Sequence, residues 1–166
     1  MTQDILKRAI WFVILVVAQA LVLGRIHLFN CATPLFYVYF VTMFPRSYPK
    51  WSILLAGFFM GLFIDIFSNT PGVASASLTL IAAIQPYYFQ LFIPNESPEN
   101  MEPGLYTMGP TRYYYYVIPL VLLYCLVFFT LELFNFFNLL EWVKCVCGST
   151  LITLVMIYAF EIAKRK

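Results

Sequence analysis

Charge is the scarcest property of this sequence. Only 11% of its 166 residues are Asp, Glu, Lys or Arg, against about a quarter in ordinary water-soluble domains. Water is therefore not the main solvent of this chain. Histidine is nearly absent: the single one, His27, stands beside Arg25 with no Cys or carboxylate nearby to complete a metal site. The four cysteines lack C-x-x-C spacing. Cys145 and Cys147 form a C-x-C, and Cys31 and Cys125 lie in or beside apolar runs, so all four read as small packing residues. No G-x-S-x-G, H-E-x-x-H or phosphate-binding glycine loop occurs. The hydroxyls of Ser75, Ser77 and Thr79 have no base in the sequence to activate them. These absences argue against an enzyme, a metal and a cofactor. A net charge of +2 gives no basis for nucleic-acid binding. Apolar and polar residues do not alternate, which excludes the signature of an outer-membrane barrel.

What remains is hydrophobic: 62% of the residues, arranged in long runs. A bilayer core about 30 Å thick is crossed by about 20 apolar residues in a helix. Six segments qualify, at about residues 5–24, 28–44, 51–67, 73–93, 113–137 and 142–160. The chain is expected to be a single, all-α transmembrane domain over 1–166. Pro34 and Pro86 fall inside segments, and neighbouring helices in a bilayer can satisfy the carbonyl that a proline frees. A kink at Pro86 is expected rather than a break. The start of the first segment, with Lys7, Arg8 and Ala18-Gln19-Ala20, resembles a signal peptide. Its apolar run continues through Leu23, so it is read as a retained span.

Basic residues set the orientation. With the N-terminus inside, Lys7, Arg8, Arg46, Lys50, Arg112, Lys164, Arg165 and Lys166 fall on the cytoplasmic side. Only Arg25 and Lys144 fall outside. Eight against two is the positive-inside pattern, and it requires an even number of spans with both termini cytoplasmic. Trp11, Trp51, Trp142 and the run Tyr113–Tyr116 mark segment starts, where aromatic rings favour the membrane interface. The one long connector, 94–112, carries Pro94, Pro98, Pro103, Pro110, Glu96, Glu99 and Glu102. It reads as an extended cytoplasmic loop, either a solvated connector or a partner-docking segment.

Two carboxylates lie within apolar runs, Asp65 and Glu132. A charge at membrane depth costs at least about 2.5 kcal/mol, so such groups face a protein interior or a cavity. Gly57, Gly61 and Asp65 are spaced by four and share one helix face. That face is smooth enough for another helix to approach closely. The next segment offers Ser75, Thr79 and Ala83 at the same spacing, after a turn through Asn69, Pro71 and Gly72. Asp65 is thus placed to accept hydrogen bonds from Ser75 or Ser77, or from backbone N–H groups at the start of the fourth helix. Either it anchors the hairpin structurally, or it is a ligand- or partner-sensitive carboxylate in a polar cavity with Ser75, Ser77, Thr79 and Glu132.

The run Gly61-Leu62-Phe63-Ile64-Asp65, followed by Pro71-Gly72 and a small-residue helix, resembles the MreD family, the membrane subunit of the bacterial rod-shape system. The resemblance implies a non-enzymatic, multi-pass inner-membrane protein. It implies action with MreC, and through it with the glycosyltransferase RodA and its transpeptidase partner, in peptidoglycan synthesis. It also implies a fold similar to the six-helix substrate-binding subunits of vitamin transporters. Carried onto this chain, Gly61, Asp65, Pro71 and Gly72 shape an outward-facing hairpin. Two other functions fit the segments: a small-solute binding subunit of a transporter, and a proton-coupled carrier using Asp65 and Glu132.

Overall fold

The computed structural model describes residues 2–21, 33–93, 101–133 and 139–164. Within them lie seven helices and no strand: α1 (Thr2–Leu21), α2 (Val38–Thr42), α3 (Lys50–Ser68), α4 (Val73–Gln90), α5 (Leu105–Met108), α6 (Pro110–Leu133) and α7 (Leu139–Ala163). Three of them hold stretches long and apolar enough to cross a membrane: Lys50–Ser68, Pro110–Glu132 and Leu140–Ala163. The apolar core of α1, Arg8–Gln19, is shorter. α4 has 18 residues but includes Ser, Thr and Gln, and it packs against α2, α3 and α6.

The sequence explains the helix limits. Extended Pro49 precedes α3, and Asn69 ends it in the left-handed region (φ 58°), where Asn is tolerated better than most residues. Gly109 (φ 82°) turns the chain into Pro110, which suits the first position of α6 because that N–H has no helical partner anyway. The core includes Met60 and Ile64 of α3, Leu78 and Ile81 of α4, Val121 and Tyr124 of α6, and Val38 and Val41 of α2. Outward lie Trp51, Leu55, Phe59, Phe63 and Ile66 of α3, with Leu151 and Val155 of α7. So much apolar surface on long helices is a liability in water and the normal condition in lipid.

Over the described residues, four of the six expected segments correspond to single long helices, α1, α3, α6 and α7, and a fifth to α4; 22–24 of the first segment and 134–137 of the fifth lie outside the described residues. The second does not. Residues 28–32 lie outside the described residues, and of 33–44 only Val38–Thr42 is α-helical. Pro34 is the reason: it offers no N–H, and it pushes the residue before it away from helical geometry. The freed backbone groups find side chains instead. Thr33 N–H donates to Ser149 Oγ (3.1 Å), Leu35 N–H donates to Thr153 Oγ1 (3.0 Å), and the Pro34 carbonyl accepts from Gln19 Nε2 (3.0 Å). Ser149 and Thr153 are one turn apart on α7, so they share the face that receives this stretch. Irregular backbone among membrane helices survives when protein buries and bonds it.

Pro86 leaves α4 unbroken. A second proline, Pro119, sits inside α6. It deprives the Tyr115 carbonyl of its usual donor four residues on, and the Tyr88 hydroxyl of α4 donates to that carbonyl at 3.0 Å. The helix defect is thereby repaired from the neighbouring helix.

The connector before α6 is also more structured than an extended loop. Residues 94–100 lie outside the described residues, whereas 101–109 form a strap. Glu102 accepts from Arg8 Nη2 of α1 at 2.9 Å, and Arg8 lies over the rings of Phe44 (5.0 Å) and Tyr48 (4.5 Å). Leu105 N–H donates to Glu161 Oε1 of α7 at 3.2 Å, and the Tyr39 hydroxyl donates to Glu161 Oε2. The strap ends in the single turn of α5, and α6 starts at Pro110, three residues before the expected Tyr113.

Candidate functional site

Among the described residues, the α3–α4 hairpin is the most extensive helix pairing. Its closeness depends on glycine. A Cβ built on Gly61 would lie 2.3 Å from Ser75 Cα and 2.6 Å from Ser75 N, so no larger residue fits without moving backbone. One turn earlier, a Cβ on Gly57 would lie 3.0 Å from Ala82 Cβ and 3.3 Å from the Leu78 carbonyl oxygen. The face of α4 that meets these glycines is therefore Ala74–Ser75, Leu78 and Ala82. This differs from the expected Ser75–Thr79–Ala83 line: Ala83 is exposed and Thr79 half-buried. Four-residue spacing drifts around a helix of 3.6 residues per turn, and the contact follows a mix of three- and four-residue steps.

At the turn end of this seam sits Asp65, only 6% exposed. Its Oδ1 accepts from Ala74 N–H (2.8 Å) and from Thr70 Oγ1 (3.2 Å), and its Oδ2 accepts from Ser75 N–H (2.9 Å). Ala74 and Ser75 belong to the first turn of α4, where N–H groups have no partner within the helix. Gly72 stands at the cap position of α4 with φ 86° and provides no side-chain cap. Asp65 supplies that cap from α3, with both carboxyl oxygens at the positive end of the α4 dipole. The Asp65 backbone carbonyl also accepts from Asn69 and Thr70 N–H groups, closing α3. One residue thus terminates one helix and starts the next.

Of the two partner sets left open by the sequence, backbone N–H groups are the ones used. The Ser77 hydroxyl donates to the Val73 carbonyl (2.7 Å) and the Thr79 hydroxyl to the Ser75 carbonyl (2.6 Å), each within its own helix. Glu132 is exposed near the end of α6. Asp65 is thus bonded to the Ser75 backbone, while the Ser77 and Thr79 hydroxyls are occupied within α4. Pro71 and Gly72 lie exposed in the turn, where Gly72 is needed for its positive φ.

Other buried polar groups carry no obvious sequence signal. Glu161, 4% exposed, lies one residue beyond the sixth expected segment, yet it is buried against Tyr39 and the strap. Gln85 Nε2 donates to the Phe44 carbonyl (3.2 Å) and to Tyr116 Oη (2.9 Å), and the Tyr116 hydroxyl donates to the Thr42 carbonyl (3.2 Å). Tyr37 and Tyr124 share a buried hydroxyl–hydroxyl hydrogen bond. Only tertiary packing brings these pairs together. Among the described residues, no group of three or more His, Cys, Asp or Glu side chains is arranged to hold a metal ion.

Compared with known protein families, curated proteins and solved structures, the chain matches none.

Proposed function

We propose that this chain is a non-enzymatic, six-span subunit of the bacterial inner membrane that works by docking against membrane partners. In this proposal both termini are cytoplasmic, and the subunit serves the cell-wall elongation complex together with MreC, and through it RodA and its transpeptidase partner. The observation that carries the proposal is the locked α3–α4 hairpin. The Asp65 carboxylate is fully engaged in holding helix ends, as suits a rigid docking element better than a group awaiting substrate. The motif that resembles the MreD family, Gly61 to Gly72, is this same hairpin. The eight-to-two charge division supports the sidedness, and the contacts of Arg8 with Glu102 and of Glu161 with Leu105 fit it. The solute-binding alternative needs space at Asp65, but there Gly61 lies against Ser75 backbone and the carboxylate is occupied.

The direct experiment is affinity purification of the tagged chain from native membranes in mild detergent, with MreC followed by mass spectrometry. Recovery of MreC with the full chain is expected. Repeated failure to recover the two together, in conditions that preserve other membrane complexes, would overturn the partnership.

A further inference from the structure

We propose that the end of α4 and the start of α6 form a binding site for the headgroup of a net-anionic phospholipid. A cavity of about 380 Å³ lies there, lined by Leu91, Phe92, Ile93 and Arg112. Its walls differ in chemistry. Three are apolar, and Leu91 is 78% exposed at the rim. The fourth is a permanent cation: Arg112 is exposed and, among the described residues, has no hydrogen-bond or ion-pair partner. The planar guanidinium matches two phosphate oxygens at once.

The level of the site in the membrane follows from its neighbours. It lies at the ends of long helices, beside the run Tyr113–Tyr116, of which Tyr115 is exposed. Lys50, at the start of α3, sits over the exposed Tyr87 ring at 4.0 Å. Tyr rings with lysine and arginine at helix ends mark the headgroup layer. A free phosphate has no use for apolar walls, whereas a phospholipid brings glycerol and acyl carbons to the side chains of Leu91 and Phe92. Among the described residues no acid lines the cavity, and the positive field of Arg112 and Lys50 favours net negative charge. The site rests on the membrane reading of the helices and is independent of the elongation-complex proposal.

The test uses the purified full chain in mild detergent, titrated with phosphatidylglycerol or with phosphatidylcholine of identical acyl chains and read by native mass spectrometry. One retained phosphatidylglycerol, favoured about fivefold over phosphatidylcholine, is expected for a single interfacial arginine. Arg112→Gln should abolish the preference, while Lys144→Gln keeps it. Leu91→Trp, which narrows the cavity at an exposed position, should lower phosphatidylglycerol retention. Equal retention of the two lipids by the unsubstituted chain, or an unchanged preference in Arg112→Gln, would overturn the proposal. So would full displacement of phosphatidylglycerol by millimolar inorganic phosphate, which would identify a free-anion site. Loss of MreC recovery leaves all of these readouts intact, so the two proposals fail separately.

Discussion

Asp65 illustrates how one carboxylate can be tolerated at the edge of an apolar helix. Desolvating it is costly, and two backbone N–H groups of α4 together with the Thr70 hydroxyl compensate. Those N–H groups gain as well, since a first-turn donor buried without a partner costs roughly 1–3 kcal/mol. Asp65→Ala is therefore expected to destabilise the protein by about 2–5 kcal/mol, because two donors are stranded together. Asp65→Asn keeps the shape but turns an NH₂ group toward one of the donors, and should recover only part of the loss. Thermal unfolding of the purified variants checks both, and an Asp65→Ala variant as stable as the unsubstituted chain would remove the capping role. The residue and its helix face are legible from spacing alone. Spacing left the partner open, because serine hydroxyls and backbone donors were equally within reach of the side chain.

At the scale of elements, the hairpin and the broken second segment obey the same requirement: every backbone polar group away from water needs a partner. The α3–α4 seam meets it through close approach at glycine. Gly61→Ala should cost about 1–3 kcal/mol, since the new methyl meets backbone atoms that cannot swing aside. Gly57→Ala should cost less, because its nearest neighbour is a single methyl at 3.0 Å. Unfolding midpoints of the pair provide the check, and equal effects would contradict a seam closest at Gly61. The glycines were legible in the sequence as a four-residue series. The opposing line Ala74–Ser75, Leu78, Ala82 was not, because the crossing of two helices decides which neighbouring face is used. The stretch around Pro34 was legible as apolar, but hydropathy cannot distinguish a helix from a buried turn whose N–H groups bond to Ser149 and Thr153. Likewise, the sequence shows Pro119 but not the Tyr88 hydroxyl that repairs it.

Across the whole molecule, apolar side chains occupy both the interior and the outer surface, and polar groups concentrate at helix ends and in a few buried pairs. The six-span proposal makes a sidedness prediction. In a variant lacking the four native cysteines, a single cysteine at Asn69 in the α3–α4 turn should react with a membrane-impermeant maleimide on intact spheroplasts. One at Thr107 in the strap should react only after lysis. The opposite pattern would invert the orientation, and labelling of both from outside would show that α4 does not cross the membrane, which would overturn the six-span layout.

Composition and pattern alone determined that this is a helical membrane chain, where its long α3, α6 and α7 helices lie, and that Asp65 belongs to a glycine-lined face. Those properties depend on the solvent and on helical periodicity, which are local. Tertiary structure alone decided that Asp65 caps α4, that the stretch around Pro34 is irregular backbone bonded to α7, that Glu161 is buried, and that 101–109 is a strap. Each of these depends on which distant donor or acceptor reaches a backbone group, such as Thr153 to Leu35 or Glu161 to Leu105. The Asp65 side chain was visible from the start, but its role as the joint between two helices appears only when the first turn of α4 is folded against it.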